Sequence, residues 1–278
     1  MHVGWPPRIE ARRRGVRLGV EMGSEPSSSG VVRGAGAHER VASARDPLGF
    51  RLRGERTTRL EAFVDAAFAF ALSLMVIAVG SVPRTPEELA SALEGIPAFA
   101  ACFWLIATFW RGHVDWSERF GLDDPRSRQW SLLLIFLALI FVFPLKIVFA
   151  VFFDWISGGA LPSNFSFATM VDVQRMFQTF AVAFGSMGAV LWALNHHAWR
   201  QREALGLDAV EVLALRLVMR QWALLPVFSL ASLGLSLWTD SLRYGAPGMI
   251  FFAMHLAQVG FRAQHRRRLA AALASSDA

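Results

Sequence analysis

From Arg59 onward the chain alternates between long apolar stretches and short polar ones, and six apolar stretches stand out, over about residues 60–80, 97–112, 130–153, 176–198, 221–238 and 246–261. A helix crossing the hydrocarbon core of a bilayer needs roughly 20 mainly apolar residues, with a tolerated range of about 17–25. The third stretch, Trp130 to Phe153, is long enough without help. The second and sixth are short and draw on flanking residues, Glu94–Ile96 and Arg262–Gln264, to reach the interface. No soluble fold needs six such stretches. The pattern predicts an all-α integral membrane protein with six transmembrane helices per subunit.

Residues 1–50 carry no helical or strand period. They are rich in Arg, Gly and Ser, with runs such as Arg12-Arg13-Arg14 and Ser27-Ser28-Ser29, and predict a disordered arm ahead of a membrane domain over 51–278 with a short tail. A secretory signal would need an uninterrupted apolar run of about 7–15 residues near the start, which this segment lacks. The arm is therefore expected to stay on its own side of the membrane. Met22 offers a second start.

Composition agrees with the pattern. The chain is 54% hydrophobic and only 18% charged, with a mean hydropathy of +0.38, whereas a soluble domain averages roughly a quarter charged. One cysteine, Cys102, leaves no disulfide framework and no cysteine metal site. The net charge of +6 and pI near 11.0 suggest nucleic acid until the positive residues are placed. Twelve of the 28 lie in residues 1–59, and four more in each of 111–128, 200–220 and 262–268. The intervening linkers hold only Arg84, Arg175 and Arg243, and Lys146 lies within the third stretch. By the positive-inside rule this alternation predicts six spans with both termini cytoplasmic, in the cell membrane. A polybasic segment beside a membrane favours anionic lipid headgroups over nucleic acid, so lipid is the expected partner.

The first stretch concentrates the chemistry. Asp65 lies about two turns into an apolar helix, a costly place for a carboxylate, and calls for a protein or water partner; the alternative is solvation at the interface. Arg59, six positions earlier, is about 240° away around a helix and is a poor partner for it. Ala62, Ala66, Ala69 and Ser73 form a small-residue face, and Phe70, Leu74 and Ile77 a bulky stripe about 60° away. Both stripes can also be read as ordinary helix packing. Elsewhere, His113 is either interfacial or a partner of Asp65 or Arg59. His196 and His197 sit at headgroup level beside Trp199, His255 and Gln258 fit interhelical hydrogen bonding, and Lys146 can snorkel outward or tune cation entry. There is no phosphate loop, nucleophile elbow, catalytic dyad or metal-ligand spacing, so neither an enzyme nor a cofactor is expected.

The run Arg59-x-x-x-Phe63-x-Asp65 resembles the Arg-x-x-x-Phe-Ser-Asp signature of the transmembrane protein 175 family, the lysosomal potassium channel and its prokaryotic relatives. Trp110-Arg-Gly-His113 is similar to the family's Trp-x-x-His. Trp130-Ser131-Leu-Leu-Leu and Phe143-Pro144 resemble its third-helix start and its proline near the outer end. Span number and order extend the resemblance over about 56–268. It implies a passive potassium-permeable channel of a bacterial inner membrane, assembled as a homotetramer around a pore lined by the first helix, without the usual potassium-channel filter loop. No Thr-Val-Gly-Tyr-Gly run occurs, and the single tyrosine is Tyr244.

Matched by position, Phe70, Leu74 and Ile77 fall at the family's bulky pore-facing rings and Ser73 at a pore threonine tied to potassium preference. Arg59, Phe63, Asp65, Trp110, His113 and Ser131 fall in the signature network. Rings of apolar side chains gate by excluding water, and a layer of hydroxyls replaces part of the hydration an ion sheds. Three departures bear on conduction: Val64 replaces the signature serine, Phe70 stands where an aliphatic residue is usual, and Ser131 replaces asparagine. Two other functions are compatible with the residues: a non-conducting structural or regulatory six-span protein, and a proton-coupled secondary transporter using Asp65 and His113 as a relay. Proton permeation through a channel is left open.

Overall fold

In the computed structural model the described residues are 45–54, 57–77, 83–161, 163, 165–238, 242 and 245–276. The expected arm therefore lies outside the described residues up to 44, as does Tyr244. Seven helices carry the described chain: α1 (Arg59–Ile77), α2 (Pro86–Glu94), α3 (Ile96–Phe120), α4 (Pro125–Ser157), α5 (Met170–Arg200), α6 (Ala209–Ser236) and α7 (Ala246–Ser276). Helices α4, α5 and α6 are each long and apolar enough to cross a membrane, and α2 with α3 makes a fourth candidate, bent by 41°.

Local sequence sets the helix ends. Thr58 and Glu61 exchange hydrogen bonds at the start of α1, and Thr169 with Asp172 and Asp208 with Glu211 do the same for α5 and α6. These reciprocal pairs satisfy amide groups that have no partner within the helix. Asp124 caps α4 by accepting from the backbone N–H groups of Arg126 and Ser127. Gly121, at φ 58°, ends α3 in the left-handed region, where glycine avoids the Cβ clash.

The second stretch runs further than its hydropathy suggests. Helix α3 continues to Phe120, and only 121–124 separate it from α4, so most of the Arg-rich segment 111–128 is helix rather than linker. Its last turns are buried at Trp116, Ser117, Arg119 and Phe120. Their polar atoms are satisfied: the Trp116 indole donates to Leu194 O at 3.0 Å, and Arg119 pairs with Asp46 at 2.9 Å.

The bundle centres on α5, which packs most extensively on α6 and also meets α4 and α3. Gly185 and Gly188, one turn apart on α5, permit that approach. A Cβ at Gly188 would stand 2.4 Å from Leu225 Cβ, and one at Gly185 would stand 2.6 Å from Ser229 Cβ. In lipid, where apolar surface gains little by leaving one oily medium for another, such small-residue contacts carry much of helix association. The outside is correspondingly apolar: Leu132, Phe136 and Ile140 of α4 and Val227 and Leu230 of α6 are all exposed.

Of the arm expected over 1–50, residues 45–50 are described, and they run on into 51–53 as one segment. They form a strap across one end of the bundle, with Phe50 buried and edge-on to Phe120. Arg53 and Gly54 both donate backbone N–H groups to Glu118 O at 2.9 Å. The strap is ordered because its arginines meet the buried Glu211, which a compositional reading of an Arg/Gly-rich segment does not register.

Candidate functional site: the outward face of the first helix

Helix α1 has two faces of opposite character. Val64, Phe68, Ala71 and Met75, at helical spacing, are sealed against α3 and α4. The opposite face carries Ala62, Ala66, Ala69 and Ser73, all exposed, flanked by Phe63 at 55% and Phe70 at 56% exposure. Leu74 is half-buried. The side chain of Ile77 lies outside the described residues. The small-residue face therefore packs on no helix of this chain among the described residues. Ser73 Oγ donates to Ala69 O at 2.9 Å, so its oxygen lone pairs stay available on that face.

The signature residues resolve into two pairs. The indole of Trp110 on α3 donates to Asp65 Oδ1 on α1 at 2.8 Å. His113 Nε2 on α3 hydrogen-bonds Ser131 Oγ on α4 at 2.9 Å, with both side chains buried. His113 thus partners Ser131, in place of the Asp65 or Arg59 partner considered from sequence. One pair links α1 to α3 and the other links α3 to α4. Glu61 adds a third link by accepting from Ser117 Oγ. Arg59, exposed, opens the helix.

At the other end of α1, Lys146 Nζ on α4 lies 3.5 Å from Met75 O. It therefore turns back toward the carbonyls at the end of α1, where a cation meets the negative end of the helix dipole.

Sequence reasoning missed the ion-pair plate at the Arg-rich end. Glu211, fully buried, accepts from Arg51 at 2.8 Å and from Arg53 at 2.8 and 3.0 Å. Hydrogen bonding and proximity to Glu211 hold the Arg51 guanidinium above its ordinary pKa. Burial pushes the Asp208 carboxyl up, yet the hydrogen bonds from Arg45 and the Glu211 N–H outweigh it and leave Asp208 below the usual carboxylate range. Asp124 behaves alike: burial opposes ionisation, while hydrogen bonds from His197, Ser127 and the α4 backbone carry its pKa below the ordinary value. The signal available in the sequence was the spacing Asp208-x-x-Glu211, a helix-start pattern.

Apolar helices with exposed apolar exteriors, a buried His113–Ser131 pair between two of them and an Arg-rich end define an all-helical, multi-pass membrane protein. Residues 59–144 match the profile of the family described as the endosomal/lysosomal potassium channel TMEM175, a stretch that begins at Arg59, ends at Pro144 and contains every motif residue quoted above. The chain is 28% identical over 169 residues to a protein of Marivirga tractuosa named "Potassium channel", covering 59% of this chain and 68% of the relative. A crystal structure of a variant of the potassium channel MtTMEM175, in complex with a nanobody–MBP fusion, superposes with a TM-score of 0.70 at 23% identity, covering 81% of this chain and all of that one. That likeness concerns the fold. The chain resembles the TMEM175 family, which is a family of ion channels and not of enzymes.

Proposed function

We propose that this protein is a passive, potassium-permeable cation channel: one six-span subunit of a homotetramer, with α1 lining a central pore. The observation that carries this reading is the split character of α1. One face is sealed in the bundle while the other, bearing Ala62, Ala66, Ala69 and Ser73, packs on no helix among the described residues, in a helix that hydrogen bonds at Asp65 and Glu61 tie to α3. Four copies meeting on small residues close a pore. In it Phe70, Leu74 and Ile77 form the apolar constriction and Ser73 supplies a ring of hydroxyls. The resemblance over 59–144 and the potassium-channel relative support the ion. Six crossings place both termini on the Arg-rich side, which the positive-inside rule assigns to the cytoplasm of a bacterial inner membrane. The separation of Asp65 and His113 into different hydrogen-bonded pairs speaks against a direct proton relay between them and so against the coupled transporter.

The test is flux. Purified protein in potassium-loaded liposomes should release potassium when a protonophore supplies charge balance. Phe70→Ala should raise the rate by about tenfold, equivalent to a barrier lowered by about 1.4 kcal/mol. Release no faster than from empty liposomes overturns the channel reading, and saturable flux strictly coupled to protons replaces it with the transporter.

A further inference from the structure

We propose that the cleft between α3, α6 and α7 at the Arg-rich end of the bundle is a binding site for a single acidic phospholipid. The cleft has a volume of about 980 Å³, within the size range of small-ligand sites. Its polarity runs in the same direction on α3 and α7. On α3, Arg111, Asp115 and Arg119 line the mouth, and Trp104 and Leu105 line the wall below. On α7, Arg262 lies at the mouth and Met254 below. Arg111 to Trp104 is seven residues and Arg262 to Met254 eight, so charge gives way to apolar wall over about 10–12 Å at 1.5 Å per residue. Gln221, His255 and Gln258 line the cleft between these levels. That sequence of charge, hydrogen-bonding groups and hydrocarbon is the sequence along a phospholipid, from phosphate through ester linkage to acyl chain.

Charge selects the lipid class. Three guanidinium groups line the cleft with one carboxylate, Asp115, which Arg111 holds at 2.8 Å and Arg119 at 3.3 Å; Arg119 also pairs with Asp46 behind it. The Arg111 side chain remains 67% exposed and able to turn to a phosphate. Basic pockets between membrane helices take anionic headgroups in this way. Gln221 adds a second observation: its amide nitrogen is buried with no hydrogen-bond partner among the described residues, and an acceptor entering the cleft can satisfy it. A free phosphate would use only the mouth and leave the apolar wall uncovered. The wall also includes Trp110, whose indole holds Asp65, so the lipid would lie against the element that orients α1.

The full chain in mild detergent, titrated with phosphatidylglycerol and phosphatidylcholine of matched acyl chains and read by native mass spectrometry, tests this. The acidic lipid should bind at least about fivefold more tightly. Arg262→Gln should remove most of that preference, Arg262→Lys should keep it, and Arg200→Gln, at the same end but outside the cleft, should change it by less than about twofold. Acyl-brominated phosphatidylglycerol should quench tryptophan fluorescence in the native protein, and Trp222→Phe, in the cleft wall, should lose part of that quenching; this readout stands if Arg262→Gln misfolds. Equal binding of the two lipids, an equal loss in Arg200→Gln, or quenching unaltered by Trp222→Phe overturns the site. Displacement of the lipid by inorganic phosphate alone also overturns it, leaving a simple anion site.

Discussion

Helices α1, α3 and α4 and helices α5, α6 and α7 lie in one bundle but are held by different physics. In the first group the contacts that orient helices are polar and directional: Trp110 to Asp65, His113 to Ser131, Ser117 to Glu61. In the second they are mainly steric. Gly185 and Gly188 bring α5 onto Leu225 and Ser229, and Phe180 and Phe184 pack edge-on against Phe251 of α7. Of its polar contacts, the buried bond from Ser232 Oγ to Pro247 O at 2.8 Å ends on backbone, and the bond from Gln178 Nε2 to Ser236 Oγ is long at 3.4 Å. A close-packed contact sets how near two helices lie. A hydrogen bond between side chains also sets how far each is turned, and the group that relies on it more contains the helix whose small-residue face has no partner among the described residues.

The strap is where the second group gains its own polar anchor, and removing that anchor should have the largest effect. Glu211→Ala leaves Arg51 and Arg53 beside a buried void. The expected loss is about 3 kcal/mol, at the low end for breaking a buried pair because both arginines keep partial contact with water. Thermal unfolding in detergent should show a clear fall in Tm and earlier proteolysis within residues 45–53. A Tm equal to that of the parent would mean that the strap merely rests on the bundle.

The same contrast explains what was legible in the sequence. The first group announces itself in part, because a carboxylate and an imidazole in or beside apolar stretches are conspicuous at Asp65 and His113; Trp110 and Ser131 stand out only through the family resemblance, and the pairing of His113 with Ser131 is not legible in the sequence. Hydropathy placed helices at all six stretches but stopped the second near Arg111, because it counts a charge as exposed whether or not an Asp115 or Asp46 answers it. The steric group left little trace. Nothing in the run Gly185-Ser-Met-Gly188 says which side of α5 faces α6, since a glycine contact is defined by its neighbour. The strap was hidden for a third reason: its order depends on Glu211, some 160 residues away in the chain.

A substitution at the α5–α6 contact should have the next largest effect. Gly188→Val places a branched side chain where even one carbon meets Leu225 at 2.4 Å. Overpacking of this kind costs about 1–3 kcal/mol. Gly234→Ala, on α6 with open space around it, should be neutral or slightly stabilising because alanine favours the helix. The pair of melting curves separates a glycine required by a neighbour from one that is merely tolerated, and equal responses would remove the steric account of this half.

The smallest expected effect falls on the directional half and is best read as a coupling. His113→Phe keeps the ring against Trp116, whose centroid lies 5.7 Å away, but leaves Ser131 Oγ buried without that bond. Ser131→Ala strands the imidazole instead. Each single change should cost about 1–3 kcal/mol, because an unsatisfied buried polar group is more expensive than the net worth of its bond, and the double variant should recover about 1 kcal/mol of the sum. If the bond also fixes the rotation of α1, the three variants should alter potassium flux out of proportion to their effect on Tm, with the double variant no closer to the parent in flux than the singles. Additive losses in stability would show the two side chains to be independent. Flux that simply follows Tm would show that they support the fold without setting the face that α1 presents.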